Sequence, residues 1–161
     1  VNSVRVEGAQ AVDPAELLTG LSLSAGKPFS AASLAADRDA IELAYANLGY
    51  QGVTVDARPG LSADARRADV VLAVREGPRI FVDHVLIVGN TRTTTEAIER
   101  ELRIKPGDPL GLEALSESQR RLAAMGLFRR ARITQLLASP GMRRERQSYK
   151  RPWWKPAISL N

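Results

Sequence analysis

The chain has 161 residues, of which 44% are hydrophobic and 25% charged, the make-up of a globular protein with room for one or two small domains. It has no cysteine, which excludes disulfides, thiolate metal sites and thiol nucleophiles, and no apolar run approaches the ~20 residues of a membrane-spanning helix. The net charge of +5 averages two unlike parts: residues 129–161 hold nine Lys/Arg against one acid, Glu145, while the first 128 residues hold 14 bases against 17 acids.

Val1 opens directly into strand-like sequence, without the basic and apolar regions of a signal peptide. Val4 to Glu7 alternates apolar and polar residues, as a half-buried strand does. Asp13-Pro14-Ala15-Glu16 predicts a helix start: a capping Asp, a Pro at the first helical position and a Glu that completes a capping box. Leu17, Leu18 and Leu21 give that short helix its apolar face. A second helix is expected from Ser30 to Leu48, with Leu34, Ile41, Tyr45 and Leu48 on one side and Gly49 as its terminator. Val53-Thr54-Val55 and Asp69 to Arg75 predict two strands, with Pro59 to Arg67 as a polar hairpin loop between them. The order is β-α-α-β-β.

The pattern then returns. Gly8 matches Gly89, and Gly26-Lys27-Pro28 matches Gly107-Asp108-Pro109, both at an offset of 81 residues. Val82 to Val88 predicts a strand and Gly89-Asn90 a turn. Thr93-x-x-Glu96 resembles a capping box, although Thr94 aligns with Asp13. Ile98 and Leu102, joined by Ala97, make one apolar side. Leu115 and Leu122 repeat the spacing of Leu34 and Ile41, Gly126 stops the helix as Gly49 does, and Phe128 to Gln135 predicts a strand. From Gly-x-Pro to the terminating Gly the second copy is four residues shorter, about one helical turn, so the buried face keeps its phase. A repeat near 80 residues is too long for the common solenoid units and points to two domains of one kind in tandem.

The match fails at the third strand. The equivalent interval falls on Ser148-Tyr149-Lys150-Arg151-Pro152, and nothing from Ser139 to Lys155 alternates. The expected organisation is therefore a domain at 1–80, an incomplete domain at 81–138, and a basic tail at 139–161. A loosely held second domain follows, unless Ala157 to Leu160 or another tail segment inserts as a replacement strand. The tail's Arg143, Arg144, Arg146, Lys150, Arg151 and Lys155 surround Trp153 and Trp154. That combination could bind nucleic acid or an anionic surface. A disordered tail is a second reading. A non-native, out-of-frame terminus is a third, since Arg outnumbers Lys 19 to 4 across the chain.

Catalytic chemistry finds no support. His84 stands without a second His or any Cys, which reads as a solvated histidine rather than a ligand. Asp37, Asp39 and Glu42 lie on a helix that needs a wet side, so they read as a solvated face rather than an acid–base cluster. No serine has triad partners, and the glycines form turns rather than a phosphate loop. No enzyme activity, metal or cofactor is expected.

Taken together, Val4-x-Val6-x-Gly8, a capped helix, Gly26-x-Pro28, a helix ending at Gly49-Tyr50, a short strand and Val70 to Pro78 resemble the polypeptide-transport-associated (POTRA) domain. The second set is Val88-Gly89-Asn90-Thr91-Arg92-Thr93, Gly107, Pro109, Gly126 and Phe128. It resembles the last such domain before the barrel in outer-membrane assembly proteins of the BamA type. The resemblance covers about residues 4–135. It implies an α+β fold of two β-α-α-β-β domains, each a three-stranded mixed sheet covered by two helices, the second here lacking a recognisable third strand. It also implies a periplasmic location, attached to the outer membrane through a barrel in the full-length protein. The implied partners are unfolded outer-membrane proteins or secreted polypeptides, and accessory lipoproteins. In that fold the third strand is central, so the second is an edge open to β-augmentation. The resemblance places this edge at Gly52, Val53, Thr54, Val55, Asp56 and Arg58 in the first copy, and at Arg130, Ala131, Arg132 and Ile133 in the second.

Overall fold

The computed structural model describes residues 1–63, 66–128 and 131–136, and the backbone of 157–160. The chain divides into two compact units, Val1–Ile80 and Phe81–Asn161. The tail residues 139–156, including both tryptophans, lie outside the described residues, as does Arg130.

The first unit consists of β1 (Ser3–Glu7), α1 (Pro14–Thr19), α2 (Ala31–Asn47), β2 (Thr54–Leu61) and β3 (Ala68–Arg75). Asp13 caps α1 by accepting from the Ala15 N–H at 2.8 Å, and Ser30 caps α2 through the Ser33 N–H, so two orphan donors are satisfied locally. β3 lies between the other strands, parallel to β1 and antiparallel to β2. Val70, Leu72 and Val74 from β3 join Leu17, Leu34, Ile41, Tyr45 and Val55 in one core. Leu48, expected on the buried face, instead ends α2 and is 38% exposed.

β2 also departs from expectation. It continues through Pro59 to Leu61, where the sequence predicts a loop. The reason is register. The Ser62 N–H donates to the Arg67 carbonyl, so even-numbered residues of β2 turn their backbone groups toward β3 and odd-numbered ones turn outward. Pro59 is odd-numbered, and its missing N–H falls on the open side, where no ladder bond is lost.

Glu76, just past β3, ties three elements together. Its Oε1 accepts from the Gln10 and Ala11 N–H groups at 2.7 and 2.8 Å, and from the Tyr45 hydroxyl at 2.7 Å. Tyr45 is fully buried and meets the Tyr50 ring edge-on. At Gly77 a Cβ would lie 1.7 Å from the Gln51 carbonyl oxygen, so only glycine lets the chain pass. The Gln51 N–H then donates to the Pro78 carbonyl at 3.0 Å. The Glu-Gly-Pro sequence is thus a clasp between the end of the sheet and the end of α2.

The second unit repeats the plan with β4 (Leu86–Val88), α3 (Thr95–Glu101), α4 (Leu112–Ala124), β5 (Ala131–Thr134) and β6 (Ala157–Leu160). Thr94, not Thr93, is the cap of α3, accepting from the Ala97 N–H. The two Gly-x-Pro turns do the same work. Gly26 donates its N–H to the Val1 carbonyl at 2.9 Å, and Gly107 donates to Val82 at 2.7 Å, each from a positive φ, 86° and 91°. The middle strand is β6, parallel to β4 and antiparallel to β5. The second sheet therefore has its third strand. Ser148–Pro152 lies outside the described residues, and that strand is Ala157–Leu160, one of the replacements the sequence allows. The core beneath it gathers Val82, Ile98, Leu102, Ile104, Leu115 and Leu122.

Two predictions follow from these contacts. The Glu76 carboxyl is held below its ordinary value, first by the Ala11 N–H and against opposing burial, with further help from Tyr45 and Gln10. A depressed carboxyl contributes stability above its unfolded value of about 4.3, and that contribution is lost as pH falls through the lower folded value. Thermal melting from pH 7 to pH 3 should show Glu76→Gln less stable than wild type at neutral pH, with the gap narrowing in acid. Separately, truncation after Pro156 should abolish amide-exchange protection at Leu86–Val88 while leaving Ala68–Arg75 unchanged.

Candidate functional site

An open three-stranded sheet has two edges, here β1 and β2 in the first unit and β4 and β5 in the second. The expected binding residues lie on β2 and β5, and the backbone alternation divides them. On β2, Thr54, Asp56 and Arg58 face β3 with their N–H and C=O groups, opposite Arg75, Ala73 and Val71. The outward groups belong to Val55, Ala57 and Pro59. On β5, Arg132 and Thr134 face β6, while Ala131 and Ile133 face outward. Gly52 and Val53 precede β2, with Gly52 at a φ of 69°.

Each outer edge meets one side chain from the long helix above it. Glu42 of α2 accepts from the Val55 N–H at 3.2 Å. Gln119 of α4 accepts from the Ile133 N–H at 2.8 Å and donates its amide N–H to the Ala131 carbonyl. The two helix residues are equivalent: Glu42 stands seven residues before Gly49, and Gln119 seven before Gly126. Asp56 and Arg58 form an exposed ion pair at 2.5 Å on the same face of β2.

The supposed carboxylate face of α2 is three separate devices. Asp37 is 2% exposed, not solvated, and accepts from the Ser22 and Leu23 N–H groups at 2.6 and 2.8 Å. It fastens the turn after α1, and Ser118 does the same in the second unit, accepting from the Arg103 N–H at 2.8 Å. Asp39 pairs with its neighbour Arg38, and Glu42 reaches β2. His84 lies with its Nδ1 3.0 Å from Asp83. Among the described residues no group of three His, Asp or Glu is placed to hold a metal ion.

The glycines singled out by sequence sit in turns. Gly8, Gly26, Gly49, Gly89, Gly107 and Gly126 all take positive φ. Asn90 folds the turn before α3 by donating to the Thr93 carbonyl and the Thr95 hydroxyl. Pro28 leads into α2, and Pro109 bridges to Phe81.

The sequence profile of the POTRA family, described as a surface antigen variable number repeat, matches residues 1–77 and again 80–147. The chain belongs to the POTRA family. Its tandem domains are similar to the outer membrane protein assembly factor BamA of Neisseria meningitidis serogroup B, with 29% identity over 126 residues, covering 78% of this chain and 16% of that protein. BamA of Nitratidesulfovibrio vulgaris is 32% identical over 78 residues, covering 48% of this chain and 10% of the relative. The chain thus spans a minor part of the relatives it matches. In fold, the POTRA pair superposes on POTRA domains 3–5 of Haemophilus influenzae BamA with a TM-score of 0.64, covering 99% of this chain and 58% of the other, at 21% identity. It matches Haemophilus ducreyi BamA lacking POTRA domains 1–3 with a TM-score of 0.72, covering 99% and 28%, also at 21% identity.

The POTRA edge assignment makes a stability prediction. Thr54→Pro removes an N–H that faces β3, whereas Ala57→Pro removes one that faces outward. Thr54→Pro should therefore cost about 1 kcal/mol more, one ladder hydrogen bond, as measured by urea unfolding of the two variants.

Proposed function

We propose that this POTRA pair is the periplasmic polypeptide-binding part of an outer-membrane β-barrel assembly or secretion protein. It captures extended substrate segments or accessory subunits partly by β-augmentation. The observation that carries the reading is the outer edge of β2, eight residues long. The Val55 carbonyl, the Ala57 N–H and C=O, and the Pro59 carbonyl all face outward along it without a partner among the described residues. Backbone groups left this way are a template for another strand. The BamA relatives supply the setting, an assembly factor of the outer membrane. β1 offers the opposite edge, but it is five residues long, and the Val1 carbonyl just before it is already taken by Gly26. That leaves β2 the longer template.

Capture of this kind draws on main-chain hydrogen bonds, so it has low side-chain specificity and weak affinity. Titration of the isotope-labelled chain with a peptide of about ten residues, the length of one barrel strand, should shift the amides of Val55 and Ala57. A peptide of different sequence but the same alternation should bind similarly. Ala57→Pro should weaken binding while the chain stays folded. Shifts confined to Ser3 and Arg5, or to the helices, would overturn the β2 assignment.

A further inference from the structure

We propose that Gln119 is a built-in occupant of the β5 edge: the second domain accepts an extended chain only where this side chain is displaced, whereas the β2 edge of the first domain stands ready. The inference rests on the strand-capture reading above and adds which edge is open.

An incoming strand would take the Ala131 carbonyl and the Ile133 N–H, the outward groups that flank Arg132. Gln119 takes both. Its side-chain amide carries one C=O and one N–H pair, the same donor and acceptor chemistry as a peptide bond. The Ile133 N–H demands the amide oxygen, bonded at 2.8 Å, and the Ala131 carbonyl demands the amide nitrogen. The orientation of the amide is thus fixed by its two partners. A segment adding to β5 meets its donor and acceptor already engaged.

The internal repeat supplies the comparison. Glu42 stands at the same place in α2 and reaches the same edge of the first sheet, but an ionised carboxylate only accepts. It holds the Val55 N–H and cannot bond the carbonyls that face outward along β2. One side-chain group, amide against carboxylate, therefore separates a two-point plug from a one-point contact. Strand length acts in the same direction, since β5 spans four residues and β2 eight.

The test compares wild type and Gln119→Ala in the full chain by amide exchange and by titration with the alternating peptide of about ten residues. Wild type should protect Ile133 and show peptide shifts on β2 alone. In Gln119→Ala, Ile133 should exchange about tenfold faster, on the scale of one lost hydrogen bond, and peptide shifts should appear at Ala131 and Ile133 as well. Arg132, which faces β6, reports whether the sheet survives. If it loses protection in the alanine variant, Gln119→Glu takes its place; it keeps the acceptor for Ile133, loses the donor to Ala131, and should admit peptide to β5. Equal exchange at Ile133 in wild type and Gln119→Ala, or equal peptide shifts on β5, would overturn the proposal. Binding at β2 in both proteins and at β5 in neither would overturn it while leaving strand capture intact. Binding at no edge in either protein would remove strand capture itself, and this inference with it.

Discussion

Each sheet hangs on its middle strand. β1 and β2 never touch as partners; both bond to β3, one parallel and one antiparallel. A middle strand leaves no backbone group without a ladder partner, so its two flanks can be short, irregular or open. β3 meets this with an alternating pattern in which Val70 and Leu72 are fully buried. The same constraint holds in the second unit, where Leu86, Ile87 and Val88 pair with Ala157, Ile158 and Ser159, and β5 pairs from the other side. The edges depend on this arrangement, because a strand is an edge only once its other side is taken.

The two units show which parts of the design tolerate exchange. The first helix is capped by Asp13 in one and Thr94 in the other. The turn after it is fastened by Asp37 in one and Ser118 in the other. In each pair the acceptor differs in charge; the donors of the turn, Ser22 and Arg103, are equivalent, whereas Asp13 accepts from the second N–H on and Thr94 from the third. The fold asks for a hydrogen-bond acceptor at a given point, and any side chain that brings an oxygen there suffices. At the Glu42 and Gln119 position the exchange is not neutral, because only the amide also donates.

Much of the fold was legible from local pattern. Caps, terminating glycines and Gly-x-Pro turns each act within a few residues, and the constant offset of 81 marked them as one plan repeated. β6 was less legible, since Ala157-Ile158-Ser159-Leu160 is four residues of weak alternation, well beyond the interval where the first copy has its third strand. Pro59 was misread because a proline in a strand is tolerated or not according to which side its nitrogen faces, and that parity is set by a partner strand. Asp37, Glu42 and Gln119 were hidden for a related reason. Helical periodicity sorts polar residues to the wet side, yet these three bond backbone groups of other elements. Their spacing from Gly49 and Gly126 was the signal that could have paired Glu42 with Gln119.

The separation of β5 from β6 has a consequence for how the chain reaches its folded state. Six residues lie between β2 and β3, and 22 between β5 and β6. Closing the longer connection costs about 1 kcal/mol more in chain entropy. As the polypeptide emerges from N to C terminus, the first sheet can close once Arg75 is free. The second must wait until Leu160 has emerged, because the segments of β4 and β5 each pair with β6 and not with one another. For that interval the second domain is itself an acceptor in search of a strand, and its own late segment competes with whatever other extended chain is at hand.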